Sequence, residues 1–454
     1  MRLLLLIIFS INAYLSFTQN DSIQIKSFYN AALTNGKAYE DLRSLCKDIG
    51  PRLTGSAEAE MAIEWGKNKM EEYEFDKIYL QEILVPHWER GTKESGWIRT
   101  SKGKIKKVNL LALGGSIGTN GLIEADVVMF NSLNDLKKAN KKYIKNKIVF
   151  INQHMDEQQI NTFKAYGGCF AIRGYGAVES SKLGAKAVII RSLGLPLNKD
   201  PHTGSMYYLD SIKKIPAAAI STEDANELEK SINEGKTSFL LEMDCRDFPD
   251  VTSYNVIGEI IGNKNPNNII TFGGHLDSWD TGEGAHDDGA GIVHCLEAMR
   301  IIKNSKYKPN NTLRLVFFMN EENGNNGGKS YAIWAKKQKN ENHIAAIESD
   351  RGGFAPRGFH CDGSEKHISL LKTFENKLKH YDLHIFEEGY GGVDIGPLKK
   401  EFEGIPLFGF VPDSQRYFDF HHAPSDIFEN VNKRELELGC AAIASILYLL
   451  DQNL

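Results

Sequence analysis

Cysteine is scarce and scattered in this chain. Its 454 residues carry six, at Cys46, Cys169, Cys245, Cys295, Cys361 and Cys440, and no two form a CxxC pair. That spacing excludes a disulfide-built scaffold and a cysteine zinc site, while leaving one or two bridges open. A surplus of one charge is also missing. Lys and Arg number 54 against 59 Asp and Glu, a net −5 at pH 7, which excludes a basic nucleic-acid surface as the organising feature. Repeats, low-complexity tracts and charge blocks are absent. The apolar run from Leu3 to Leu15 is shorter than the roughly 20 residues a bilayer span needs. Arg2 precedes it and small Ser16 and Thr18 follow, ahead of Gln19, so residues 1–18 read as a signal peptide. No cysteine stands near that site to take a lipid. The mature chain is therefore expected to be exported, extracellular or periplasmic, with no stable membrane anchor.

What is present is ordinary for a globular protein, 41% hydrophobic and 25% charged residues, over a length that suits two domains. One stretch organises the rest, Ile269 to Cys295, IITFGGHLDSWDTGEGAHDDGAGIVHC. Ile269–Phe272 reads as a buried strand, with His275 and Asp277 at its C-terminal end. A glycine-punctuated loop leads to Asp287-Asp288-Gly289, after which Ile292, Leu296 and Met299 recur at helical spacing. Asp287 or Asp288 thus stands at a helix N-cap. A strand tip followed by a helix start is where open α/β sheets bind ligands. One histidine and three aspartates crowded there repel one another unless a cation holds them, and imidazole with carboxylate suits zinc.

Around this stretch strands and helices alternate. The pattern from Ser27 to Tyr73 is helical, broken at Pro51–Ser56, where Ser56 caps the second helix. Ile78–Pro86 reads as a strand. From about Ala112 come short strands, Val127–Phe130, Ile148–Ile151, Ala187–Ile190 and Ala217–Ile220, with turns and one helix near Ala177–Leu183. No cluster of metal-ligand type falls there, so residues 112–243 read as an inserted, non-catalytic, β-rich domain. Residues 19–111 and 244–454 are then the two parts of a catalytic domain, closed by an apolar helix at Lys433–Leu450. The fold class predicted is α/β, a mixed central sheet flanked by helices, with that insertion.

Three further stretches carry chemistry. Thr312–Met319 is an apolar strand followed by Asn320-Glu321-Glu322. Adjacent glutamates are usually just solvated, but these sit past a buried strand, on the edge where His275 lies. Ala345–Asp350 is another short strand ending in acid before Arg351-Gly352-Gly353; alone, Asp before Gly is commonly turn chemistry. Phe418–Asp426, FDFHHAPSD, is too polar for a simple core segment. Four strand ends thus converge and offer more ligands than one cation needs. That fits a two-metal hydrolytic site with ions about 3.5–4 Å apart, leaving one glutamate of the pair free as general base.

The order HLDS…DD, EE, ESD and HHxxxD resembles the co-catalytic zinc exopeptidases of the aminopeptidase and glutamate-carboxypeptidase superfamily. The likeness runs through nearly the whole mature chain, including PHTG at Pro201–Gly204, SYNVIGEI before the central strand and GSEK at Gly363–Lys366. It implies two Zn²⁺ per chain, one on His275 and Asp350, the other on Glu322 and His422, with Asp287 bridging. His422 is favoured over His421 because the family places Asp four residues after its ligand, here Asp426. It implies Glu321 as the general base acting on a metal-activated water and Asp277 as the carboxylate orienting His275. Asp288 is then a helix cap, His286 a loop residue and His294 packed. Tyr390 and Asp394, in EGYGGVD, are candidates for oxyanion and substrate-amine contacts. The insertion corresponds to a protease-associated domain, and relatives pair as homodimers. Implied substrates are dipeptides or short peptides with free termini, with amino- or carboxypeptidase polarity left open. Two rivals use the same fold, a single-zinc glutaminyl cyclase-type acyl transferase and a non-catalytic binding protein. Zinc content separates the three readings.

Overall fold

The computed structural model describes residues 21–454, so the signal-peptide reading at 1–18 lies outside the described residues. Two eight-stranded mixed sheets carry the fold. In the first, the strand order is Lys77–Glu89, Arg246–Ile260, Asn311–Phe318, Asn265–His275, Asn342–Glu348, Leu407–Pro412, Pro356–Asp362 and Ile385–Glu388. Its middle four strands are parallel neighbours. Their sequences are near-continuous apolar runs because both faces are covered. Leu313, Leu315 and Phe317 face one core, shared with helices Ala57–Glu72, Ala290–Asn304 and Lys433–Asn453. Val316 and Phe318 face the other, shared with Tyr331, Ala332 and Ala335 of helix Asn326–Lys337. Period-two alternation thus anchors helices on both sides and leaves one edge of strand tips free for chemistry. Ser56 accepts Ala59 N–H and starts the helix Ala57–Glu72.

The second sheet draws all its strands from Glu94 to Met243, beginning ahead of Ala112. Its strands Ile123–Phe130, Ile148–Ile151, Ala187–Arg191 and Ala217–Ile220 are parallel. Parallel neighbours need crossovers, and here they include a 21-residue helix, Thr162–Lys182. This unit therefore carries crossover helices beside its eight strands. Gly167, Gly168, Gly174 and Gly176 mask the helix in the sequence, since each costs about 1 kcal/mol against alanine. Packing of Ala165, Cys169 and Ile172 against Val149, Val188 and Ile190 offsets that cost. Among the described residues no helix is long and apolar enough to cross a membrane.

Candidate metal centre

The parallel strands bring their tips, and the acids and histidines beyond them, to one edge. His275 is the last residue of Asn265–His275, and Glu321-Glu322 follow Asn311–Phe318 through Asn320, whose φ is 74°. Asp350 lies just past Asn342–Glu348. His421 and His422 follow the single helical turn Tyr417–Phe420, reached from Leu407–Pro412. Asp287 comes from the turn before helix Ala290–Asn304 and completes the group.

Asp287 stands at its centre. Its Oδ1 lies 3.2 Å from His275 Nε2 and its Oδ2 3.4 Å from His422 Nε2. Beside His275, Asp350 Oδ1 approaches Nε2 to 3.6 Å. Beside His422, Glu322 Oε2 approaches Nε2 to 3.1 Å. The remaining ring nitrogens face main-chain carbonyls, His275 Nδ1 at 3.0 Å from Asp277 O and His422 Nδ1 at 3.3 Å from Thr203 O. With a proton held on Nδ1, Nε2 is the nitrogen left on the side of the carboxylates and available to a metal, the tautomer a ligand requires. His421 stacks on His422 with centroids 3.5 Å apart but reaches Asp287 Oδ2 only at 3.8 Å.

Several supports of this group make contacts that the sequence does not show, and one of them, Arg52, has no sequence signal at all. The fully buried Asp277 carboxylate accepts N–H from Asn320, Glu321 and Glu322 at 2.8, 3.1 and 3.2 Å. It lies 3.7 Å from His275 Nδ1, so its closest contacts fix the turn that carries both glutamates. Asp426 accepts N–H from His286 and Asp287 at 2.7 and 3.1 Å. Asp288 accepts from His275 N–H and from Gly291 N–H, at the start of the helix, at 3.1 and 3.0 Å. Arg52, with no exposed surface, donates to the carbonyls of Leu276, Glu283 and Gly284 at 2.5, 2.7 and 3.0 Å. It thereby stitches the loop between His275 and Asp287. His286 is buried against both Phe354 and Phe420, with ring centroids at 4.3 and 5.1 Å, rather than lying in an open loop. His294 is packed, 3.1 Å from Ser349 Oγ.

The second sheet's unit braces the same edge. Ser205 Oγ donates to Glu322 O at 2.6 Å, His202 Nδ1 to His421 O at 2.7 Å and Thr203 N–H to His422 O at 2.9 Å. None of its described residues joins the groups able to hold an ion.

Negative charge is in excess here. Burial opposes a charged His275, yet hydrogen bonds to Asp287 and Asp350 hold its pKa well above the usual value. Burial would raise Asp287, but the hydrogen bond to His275 and the charge of His421 draw it down. Burial, then neighbouring carboxylates, keep Asp288 and Glu322 well above the carboxylate range. Burial also raises Asp350 and lifts Glu321 to about 8. Asp287 Oδ2, Glu322 Oε1 and Asp350 Oδ1 are buried without a hydrogen-bond partner, and such groups are costly unless something satisfies them. His275, Asp287 and Glu322, and separately His275, Asp288 and Asp350, bring ligand atoms within 4.8 Å of one another. Imidazole nitrogens with carboxylate oxygens and no sulfur suit Zn²⁺. The residues fit the metal.

A cleft of about 730 Å³ opens over Asp287, Glu321, Asp350 and His422. Phe163, Tyr166, Phe170 and Arg173 line it from one face of the helix Thr162–Lys182, and Tyr390 to Val393 form another wall. Asp394 lies behind that wall, fully buried, with both carboxylate oxygens unpartnered. Tyr390 is 56% exposed.

A fold and site of this kind belong to metal-dependent peptidases. The chain matches the model of peptidase family M28 over residues 255–446. It is 34% identical to carboxypeptidase Q of Homo sapiens across 93% of this chain and 88% of that protein. Carboxypeptidase Q of Xenopus laevis is 35% identical across 90% and 84%. A peptidase M28 precursor from Shewanella amazonensis superposes with a TM-score of 0.90 at 30% identity, covering 96% of this chain and 97% of that one. The fold is shared by a zinc aminopeptidase of Bacillus subtilis, TM-score 0.64 at 21% identity over 90% and 93%. The chain belongs to peptidase family M28 and is a zinc-dependent exopeptidase. Within that family it is similar to carboxypeptidase Q along almost its whole length.

Proposed function

We propose that the chain is an exported di-zinc exopeptidase that hydrolyses dipeptides or short peptides with free termini. One observation carries the metal count: Asp287 turns one oxygen to His275 and the other to His422, at 3.2 and 3.4 Å. His275 and Asp350 would hold one ion and Glu322 and His422 the other, with Asp287 between. When bound, the ions would supply Lewis-acid polarisation and a more acidic water. Asp277 holds the glutamate turn so that Glu321 faces the cleft. Glu321 takes a proton from water as its oxygen adds to the scissile carbonyl carbon. The same carboxyl returns the proton to the amine as the C–N bond breaks.

Arg173 supports the reading for free termini. It is 5% exposed, lines the cleft, makes no ion pair among the described residues and leaves Nε unpartnered. Its Nη1 lies 3.1 Å from His422 Nδ1. Once that nitrogen donates to Thr203 O, Nη1 keeps only its own long bond to the same carbonyl, at 3.4 Å, and no charged partner. A buried guanidinium calls for a carboxylate, and a peptide's free C-terminus supplies one. Residues 1–18 serve as the signal peptide, and the unit from Glu94 to Met243 acts as a protease-associated domain narrowing the cleft. The mature chain pairs as a homodimer. The test is a panel of dipeptides, free, N-acetylated and C-amidated, with the zinc-loaded enzyme. Free dipeptides are the expected substrates; cleavage of an internal bond in a doubly blocked peptide would overturn the proposal.

A further inference from the structure

One buried carboxylate beside the cleft has no part in the chemistry above. Glu348, the last residue of Asn342–Glu348, is 3% exposed. Both of its oxygens serve one short piece of backbone. Oε1 accepts Val393 N–H at 2.7 Å, and Oε2 accepts Asp394 and Ile395 N–H at 2.8 and 2.9 Å. Successive N–H groups converging on one anion make a nest, here filled from within the protein. Gly392 permits the approach, since a Cβ there would lie 2.3–2.4 Å from the Glu348 carboxyl. Two weaker ties join the same loop, Asn325 Nδ2 to Val393 O at 3.0 Å and Arg351 Nη2 to Tyr390 O at 3.4 Å. The held residues, Tyr390 to Val393, line the cleft beside Glu321 and Asp350.

We infer that Glu348 is a positioning residue for substrate binding: it clamps the 390–395 loop as a fixed wall and so sets the length of peptide the cleft accepts. A run containing Gly389, Gly391 and Gly392 loses much conformational freedom on ordering. Charge-assisted hydrogen bonds, the strong class, are what offset that loss. The peptide-length part of the inference rests on the exopeptidase reading; the clamp rests on geometry alone.

Two zinc-loaded variants test it together. Glu348→Gln keeps the shape but turns one acceptor oxygen into an NH₂ facing an N–H. Gly392→Ala strikes the same clamp from the loop. In both, amide hydrogen exchange at Val393, Asp394 and Ile395 should quicken about tenfold or more, the loss of one charge-assisted bond. KM for a dipeptide should rise by a similar factor with kcat nearly unchanged, the signature of lost uniform binding. The preference for dipeptide over tetrapeptide should shrink, zinc content should hold, and the double variant should add little to either single. Unchanged exchange in Glu348→Gln, a fall in kcat at constant KM, or lost zinc would each overturn the inference. If the wild type turns over no dipeptide, the substrate reading fails separately, and exchange still decides the clamp.

Discussion

Replacing Glu321 by glutamine removes a proton acceptor at almost constant shape. The residue lines the cleft, its N–H is held by Asp277 at 3.1 Å, and burial raises its carboxyl above the ordinary carboxylate range. It belongs to none of the ion-holding groups found among the described residues, whereas Glu322 does. Loss of a general base typically costs about 10²–10⁴-fold, or about 3–5 kcal/mol of transition-state stabilisation. Single-turnover hydrolysis of a free dipeptide by Glu321→Gln, with zinc measured on the same sample, should show that loss and unchanged metal. Zinc lost with activity would mean that base and ligand are exchanged between Glu321 and Glu322. A loss below about tenfold would remove Glu321 from proton transfer.

Three further outcomes are expected. Arg173→Met should lower kcat/KM for a free dipeptide about 10–150-fold, one buried charge-assisted hydrogen bond, while the C-amidated dipeptide changes little; equal losses on both would contradict carboxylate binding. Arg52→Met leaves the carbonyls of Leu276, Glu283 and Gly284 without their donor, at about 1–3 kcal/mol each. Thermal denaturation of that zinc-loaded variant should show a clear drop in Tm together with weaker zinc retention. His294, fully buried, is depressed by burial to about 3, against about 6.5 unfolded. A histidine lowered in the folded state lets the unfolded chain bind the extra proton, so its stability is present above pH 6.5 and lost below it. The loss is about 1.4 kcal/mol per pH unit, and urea unfolding at pH 7.5 and 5.5 should show a shallower dependence in His294→Gln; identical slopes would refute the assignment.

That His275, Asp287, Glu321, Glu322, Asp350 and His422 share one edge is legible in the sequence. All but His422 follow an apolar run long enough to be a buried strand or open a periodic helix, and parallel strands put such ends together; His422 is marked only by the polar character of Phe418–Asp426. What holds those residues is not legible. The Asp277 carboxylate caps N–H groups more than forty residues away, Arg52 reaches carbonyls more than two hundred away, and Glu348 serves a loop more than forty residues further on. Hydrogen bonds between distant segments leave no periodic trace, so Asp426 reads only as a spacing mark until its contacts with His286 and Asp287 are seen. Most of the helix Thr162–Lys182, of which only the end near Ala177 reads as helical, is hidden for a different reason. Its glycines break the helical pattern, so Phe163, Tyr166, Phe170 and Arg173 do not announce themselves as one cleft-facing stripe.

We propose that Asp287 joins two metal sites, since it turns one oxygen to each histidine. Metal content of the mature chain, saturated with zinc and then freed of loosely held metal, tests it most directly, with dipeptidase activity followed as zinc is added back to the stripped protein. The account predicts two zinc ions per chain, lost to about one when Glu322 and His422 are both replaced by alanine. A plateau at one zinc per chain in the fully active wild type would contradict it.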